Sequence, residues 1–331
     1  MALDDTFNIT RPGQTGATGA IDAQHIEEYT GVVEGTIDRR SVLAPRVSMR
    51  TVKGTSTFTN FGVGESTLQK LVPGQAPDGT VNKFGRISLT VDTVVLARSV
   101  FPLLDTFQTS YDSRAEVGRE HGKKIAKFFD QSFFIQGIKA ALATATKYAG
   151  LDAAAGHNGA SQVDLAAAGD EADPAKLYAA ILDLCTGMEE KDVDVQSDDL
   201  ALYVKPGVFN TLIQNEQLIN SQYITATGNS IQGYVLKANG MPVVKSNNLP
   251  AGQSISDHLL SNSNNSNAYD GDFTKIVMLA MAPSAIMAGA TIPLTTGVFW
   301  DDVYKHWYVD AWLSYAVGPN KVEYSGVIRK A

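Results

Sequence analysis

Five histidines, His25, His121, His157, His258 and His306, are scattered along the chain. A zinc-hydrolase helix needs two histidines four residues apart with a glutamate beside the first, and none of the five is so placed. A G-x-S-x-G nucleophile elbow is absent, as is a phosphate loop ending in Gly-Lys-Ser/Thr. Gly62 and Gly64 are followed by Glu65, without the third glycine of a dinucleotide loop, and read as a flexible loop tip. The acidic set Glu189, Glu190, Asp192, Asp194, Asp198 and Asp199 has the charge to hold a divalent cation. It lacks the glycine at position six and the glutamate at position twelve of a calcium loop, and reads as a solvated helix end. Cys185 lies on an apolar helical stripe, the place of a buried structural thiol. As the single cysteine it excludes an intrachain disulfide and a multi-cysteine zinc cluster. Trp300, Trp307 and Trp312 could stack bases or sugars, but no basic strip interleaves them, which favours core or interface packing. His121, on a long helix with Glu120 and Lys123, reads as packed or surface. An enzyme would need a convergent acid, base or nucleophile set. None is visible, so the sequence assigns no catalytic, cofactor-binding or metal-ligating residue, and the chain reads as no enzyme.

The 331 residues are sufficient for two packed units or one elaborated fold. The apolar share is 44 % and the charged share 19 %, the composition of a globular chain with a sizeable core. A net charge of −8 repels phosphate and excludes a dedicated DNA-condensing protein. The first ten residues have neither a basic nor an apolar region, so no secretory signal is expected. Residues 276–300 carry no charge and mimic a membrane span. Pro283, Gly289, Pro293 and Gly297 interrupt them, so the expectation is a buried strand followed by turns and a short helix.

The elements that would position any site follow a distinctive order. A Gly/Thr-rich arm covers the first 20 residues, and Ile21, His25, Ile26, Tyr29, Val32 and Val33 suggest a weak helix after it. Residues 42–61 read as extended, and residues 61–83 have the Gly and Pro density of a solvent-facing loop. The return limb, 84–103, alternates Ile87, Leu89, Val91 and Thr93 with Ser88, Thr90 and Asp92. Together they make a hairpin whose arms reach some 30–50 Å at about 3.3 Å per residue, more than a monomer can bury. A long helix over about residues 112–146 shows one face in Gly118, Gly122, Ile125, Phe129, Phe133 and Gln136, with Asp112 or Ser113 as cap and Glu116 placed for a capping box. Residues 149–173 are a variable excursion. Asp173-Pro174 opens a second helix with the stripe Leu177, Ile181, Leu184, Cys185 and Met188. A strand over 200–205, a helix from Pro206, a hairpin turning at Asn239-Gly240, a long Asn/Ser-rich loop and an apolar strand over 275–281 follow. Residues 307–317 alternate cleanly, Gly318-Pro319-Asn320 turns the chain, and a last strand spans 321–328. No internal repeat or heptad run is present.

In this order the chain resembles the major capsid (head) proteins of short-tailed phages, the podoviruses of the coliphage T-seven group. EGTIDRRSVLAPRVSMR (34–50) resembles the family's arm leading into its extended loop, and STFTNFGVGESTLQKLVPGQ (56–75) the limb and tip of that loop. GRISLTVDTVVLARSVFPLLDTF (85–107) is similar to the return limb, YDSRAEVGREHGKKIAKFFDQSFF (111–134) to the spine helix, and YAVGPNKVEYSGVI (315–328) to the closing strands. The likeness is made of many moderate matches over most of the chain and is weakest over 145–175.

The resemblance implies an α+β fold of the Hong Kong phage-type (HK-like) capsid class. Its parts would be an N-terminal arm (1–47), an extended-loop hairpin (48–103), a peripheral domain with the spine helix (104–173), an axial domain (174–295) and C-terminal strands returning to the peripheral domain (296–331). It implies hexamers and pentamers of one chain closing an icosahedral head around double-stranded phage DNA, which the wall meets without sequence preference. It implies a separate scaffolding protein, a portal protein and, as an optional addition, a decoration protein. Assembly would occur in the host cytoplasm, with the product in the virion and no membrane or cofactor involved. In one capsid lineage a loop lysine is joined to an asparagine of a neighbouring subunit. Lys70, Lys83 and Asn320 are the counterparts to consider, with ordinary surface lysines the favoured reading. The shell of a cellular nanocompartment is the alternative function. A tail fibre is disfavoured by the lack of repeats.

Overall fold

The computed structural model describes residues 41–331 apart from 75, 77–78, 80, 103–112, 154–155 and 216–236. The arm, the helix expected over 21–36 and the cap at Asp112 lie outside the described residues. In chain order the strands are β1 (Met49–Thr51), β2 (Thr57–Val63), β3 (Phe84–Thr90) and β4 (Val95–Pro102), followed by helix α1 (Ser113–Ala141). Then come β5 (Ser161–Asp164), α2 (Pro174–Glu189), β6 (Ala201–Val204), α3 (Pro206–Ile213), β7 (Lys237–Ala238) and β8 (Met241–Lys245). The chain ends with β9 (Ser254–Ile255), β10 (Gly271–Asp272), β11 (Ile276–Met281), β12 (Ile286–Asp301), β13 (His306–Pro319) and β14 (Ser325–Arg329). The chain divides into two compact units.

One unit contains Val94–Lys127 and Ile292–Leu313. Here β4 runs antiparallel to the first part of β13, from His306 opposite Pro102 to Leu313 opposite Val95. Alternation sends Val309 to one sheet face, where it packs with Phe101, Val117 of α1, Leu294 and Val298. The short helix expected after Pro283 is instead a single 3₁₀ turn, Pro283–Ala285, followed by the long strand β12. Pro293 is tolerated in that strand because the pairing of β12 with β1 ends at Ala290, so its missing N–H leaves no gap in that ladder.

The other unit contains Val42–Thr93, Phe128–Thr291 and Ser314–Ala331. Its centre is a six-stranded mixed sheet ordered β5-β14-β11-β6-β8-β7. The run IVMLAM of β11 is buried at every position, as a strand covered on both faces must be. Met278, Ala280, Leu202 and Val204 point to one side and join the stripe Leu177, Ile181, Leu184, Cys185 and Met188 of α2 and Phe209 and Leu212 of α3. Leu279, Met281 and Tyr203 point to the other and meet α1. Gly137 leaves only 2.6 Å between a would-be Cβ and Met281 Sδ, and the Phe134 and Tyr203 rings lie 5.2 Å apart. Residues 128–141 of α1 are therefore buried nearly all round, whereas residues 116–127 keep a buried and an exposed face.

The remaining expectations resolve as follows. Asp173 caps α2 by accepting from the Ala175 N–H at 2.9 Å, with Pro174 at its first position. Asn239 and Gly240 both take positive φ in the turn from β7 to β8. The last strand begins only at Ser325, since Val322–Tyr324 form a 3₁₀ turn. The variable excursion contributes β5, which runs parallel to β14. A buried carboxylate anchors the start of the described chain. Asp130 accepts from the Val42 N–H at 3.0 Å and from Asn248 Nδ2 at 2.9 Å.

Candidate functional site

Several of the exposed large apolar residues of the second unit lie on its hairpin. β2 and β3 pair antiparallel from Thr57 opposite Thr90 to Val63 opposite Phe84. The paired limb has seven residues, about 23 Å at 3.3 Å each, shorter than the sequence suggests. The reason is that the return limb leaves the hairpin after Thr90, and residues from Val95 onward pair with β13 instead. Toward the tip the apolar side chains stand in solvent: Phe61 is 77 % exposed, Leu68 95 %, Val81 93 %, and Val63, Leu71 and Phe84 are exposed too. Of these, Val63 and Phe84 stand opposite one another at the end of the ladder.

The root of the tip loop 64–83, where Val63 and Phe84 close the β2–β3 ladder, is held by the loop that follows α1. Arg86 and Ala149 exchange backbone hydrogen bonds at 3.4 and 3.1 Å. A Cβ on Gly62 would lie 2.9 Å from Tyr148 Cδ1, and one on Gly85 2.7 Å from Leu151 Cγ. His157 Nε2 lies 3.0 Å from the Val63 carbonyl, and Lys83 pairs with Asp152 at 3.1 Å. Tyr148 donates to Asn320 Oδ1 at 2.6 Å, while Asn320 Nδ2 donates to the Ser284 carbonyl. Lys83 and Asn320 are thus both committed within their own chain, and Lys70 is exposed.

Beside the hairpin, at Phe58 and Asn60 of β2, lies a groove of about 290 Å³, lined also by Arg46, Arg50, Met287 and Asn320 among others. Arg46 is held by Asp199 at 3.0 Å and Tyr203 Oη at 3.1 Å, and Arg50 donates to Asn60 Oδ1 at 2.7 Å. The lining contains Ser48 and Ser284 but no histidine, cysteine, lysine or carboxylate. Among the described lining residues, neither serine has a histidine, lysine or carboxylate as a neighbour in the groove wall.

The residues considered for chemistry from the sequence are scattered. His25 lies outside the described residues. His306 Nδ1 sits 3.1 Å from the Tyr304 carbonyl beside the β12–β13 turn. His258 is stacked between Phe128 and Tyr269, with centroids 4.9 and 5.3 Å away. Among the acidic set, Asp194 organises its own turn by accepting from the Gln196 N–H and the Ser197 hydroxyl, and Asp199 pairs with Arg46. Cys185 is buried, which pushes its thiol up. Trp300 and Trp307 pack ring to ring at 5.3 Å, and the Trp312 ring fills the space above Gly297. Among the described residues, no three His, Cys, Asp or Glu side chains converge on a metal position, and no helix is long and apolar enough to cross a membrane.

Two arrangements were not legible in the sequence. Ser99 Oγ lies 2.9 Å from His121 Nε2, with the Asp310 charge acting on the imidazole. This has the residue types of a hydrolytic triad but not the geometry. Asp310 lies opposite Arg98, and strand alternation places Ser99 on the other sheet face. Its carboxylate is moreover engaged by the Arg98 guanidinium at 2.8 and 2.6 Å. The second is Glu323, 8 % exposed, whose Oε2 lacks a partner. No spacing rule links Ser99 with His121 or Glu323 with His157, so only the fold shows these neighbours.

A family model described as Gp10A-like major capsid protein matches residues 79–291. No curated protein matches. Among solved structures, the chain is similar to the mature capsid of bacteriophage PhiM1, at 25 % identity and a TM-score of 0.73, covering 88 % of this chain and 87 % of that one. It is similar to the capsid of the cyanophage P-SCSP1u at 20 % identity and a TM-score of 0.72, covering 86 % of each chain. A virus-like particle from Pyrococcus furiosus matches at 9 % identity and a TM-score of 0.54, over 92 % of this chain and 99 % of that one. The fold is the HK-like capsid fold that the order of elements implied. With the family model spanning more than half of its length, the chain belongs to the Gp10A-like major capsid proteins and is a structural, shell-forming subunit rather than an enzyme.

Proposed function

We propose that this chain is the main building block of an icosahedral phage head, arranged in hexamers and pentamers around double-stranded DNA. The observation that carries the reading is the hairpin, fixed to its own chain through Val63 and Arg86 and carrying exposed apolar side chains there and in the loop beyond. Burying one such side chain is worth about 1.5–3 kcal/mol, so six of them supply on the order of 10 kcal/mol gross to a contact with a neighbouring copy. Closed symmetry multiplies that contact over the shell. The wall does not adhere to the packaged DNA, because a charge of −8 per chain repels it.

In this reading residues 1–47 are the arm, 48–103 the extended loop, 104–173 the peripheral domain, 174–295 the axial domain and 296–331 the returning strands. No catalytic, metal or cofactor residue is assigned. A separate scaffolding protein and a portal ring at one vertex are the further partners, with a decoration protein as an optional addition, and assembly takes place in the host cytoplasm. A nanocompartment shell is the weaker alternative, because the likeness to the Pyrococcus furiosus particle is lower than that to the two phage capsids.

Electron microscopy of the purified chain, expressed alone and together with a candidate scaffolding protein, tests the reading. Closed polyhedral shells or hexameric rings are expected. A monodisperse monomer in both preparations would remove the proposal.

A further inference from the structure

The two arginines of the groove beside β2 differ in their partners. Arg46 is neutralised by Asp199. Arg50 is exposed, and among the described residues its guanidinium has the Asn60 amide oxygen as hydrogen-bond partner and no carboxylate. That bond uses Nη1, so Nε and Nη2 remain as the two prongs of a planar fork, the geometry that suits a carboxylate. The rest of the groove is largely apolar, with Phe58, Ile286 and Met287 in its wall. The Phe58 ring is fixed there against Gly289, where a Cβ would lie 2.3 Å from Cε1. A volume of about 290 Å³ is at the small end for a ligand pocket and suits side chains rather than a helix. The groove therefore asks for a carboxylate with an apolar neighbour.

Residues 63–71 present that combination. Glu65 is exposed, and among the described residues its carboxylate has no hydrogen-bond or ion-pair partner. Val63, Leu68 and Leu71 around it are exposed, Leu68 at 95 %. Asp301 and Asp302 also adjoin exposed apolar residues, Val303 and Tyr304, but the first accepts from its own turn and the second pairs with Lys305. Glu65 does not reach the groove of its own chain. The Gly64 N–H donates to the Lys83 carbonyl at 2.8 Å and extends the ladder by one step. Glu65 thus stands five residues beyond Asn60, about 16 Å at 3.3 Å per residue.

We propose that the groove at Arg50 receives the tip loop of a second copy, with the Glu65 carboxylate on the Arg50 guanidinium and Leu68 against the apolar wall. The contact rests on the shell reading, since it forms only between copies, and it names where the hairpin lands. Groove and loop are different surfaces, so the contact is heterologous, the kind that closes into rings. The charge pair fixes the register of the loop on its neighbour, while the apolar wall supplies the burial.

Charge reversal in the full-length chain tests this, with Arg50→Glu, Glu65→Arg and the double reversal compared by sedimentation of assembled against free protein. Each single reversal should lower shell yield roughly tenfold, and the double reversal should return it to within about threefold of wild type. Single reversals that assemble like wild type overturn the proposal, as does a double reversal no better than either single one. A wild type that never assembles removes the shell reading and this contact together, whereas wild-type shells indifferent to the reversals remove the contact alone. Should a reversal fail to fold, the conservative Arg50→Lys carries the test. In its shells, assembled from isotope-labelled and unlabelled chains, a water-soluble carbodiimide activates the Glu65 carboxyl, and the amine at position 50 displaces the resulting urea to form an amide. Mass spectrometry should find labelled peptides containing position 50 joined to unlabelled peptides containing Glu65. Shells without that link overturn the proposal.

Discussion

Arg98 on β4 and Asp310 on β13 stand directly opposite one another and form a two-pronged pair, Nε to Oδ1 at 2.8 Å and Nη2 to Oδ2 at 2.6 Å. The carboxylate is 3 % exposed, while the guanidinium keeps a solvent-facing side and lies 4.7 Å from the centroid of the Tyr308 ring. The asymmetry matters more than the pair itself, because a buried carboxylate without its cation is costly. Arg98→Ala should therefore lower the thermal midpoint further than the double variant Arg98→Ala/Asp310→Ala. A double-mutant cycle by calorimetry measures this, and equal losses would show that the pair is only a surface contact.

The apolar tip should matter between chains and not within one. Leu68, Leu71 and Val81 make little contact with their own chain, so changing each to Ser should alter the stability of the unassembled chain by no more than about 0.5 kcal/mol. If neighbours bury these side chains at about 1.5–3 kcal/mol each, the triple variant should reduce shell yield more than tenfold. Sedimentation of assembled against free protein reads the yield. Undiminished shells from the triple variant would place the contact elsewhere.

The root of the tip loop offers a converse experiment. Gly85 has room for no side chain, since its Cβ would lie 2.7 Å from Leu151 Cγ and 2.9 Å from the Ala149 carbonyl. Gly85→Ala should cost about 1–3 kcal/mol, concentrated at the root, because one of the two obstacles is backbone. Proteolysis should then cut residues 57–90 faster while the six-stranded sheet stays protected. Uniform loosening of both regions would show that the root is part of the central core.

These regions differ in how far the sequence foretells them. The stripe Leu177, Ile181, Leu184, Cys185 and Met188 is legible because one helix face meets one sheet face, and periodicity alone reports that. The second half of α1 is less so, since residues 128–141 are buried all round and carry no single stripe. The split of the return limb at Val91–Val94 leaves no local mark either. Both Ile87 and Val95 sit in strand patterns, and only long-range pairing sends one to β2 and the other to β13. Glu323 and His157, 166 positions apart in the chain, are brought near one another only by the fold, a separation no motif spans.

His258 gives the fold a pH dependence whose sign follows from its surroundings. The ring is 8 % exposed, stacked between Phe128 and Tyr269, and its Nδ1 accepts from the Leu260 N–H at 3.3 Å. That acceptor role requires the neutral form. Burial lowers its affinity for a proton, and the nearby Asp270 charge restores only part of it. In the unfolded chain the imidazole binds a proton near its ordinary value of about 6.5, while in the folded chain it does so only at lower pH. The unfolded state thus binds more protons over that interval, so stability is intact above about pH 6.5 and falls as pH drops toward the folded value. The slope for one proton is at most about 1.4 kcal/mol per pH unit. Denaturant unfolding between about pH 7.5 and pH 5 measures it, with His258→Phe as the comparison. The phenyl ring keeps the stack and cannot titrate, so the variant should lose less stability on acidification than wild type. Parallel pH profiles would assign the acid sensitivity to other groups.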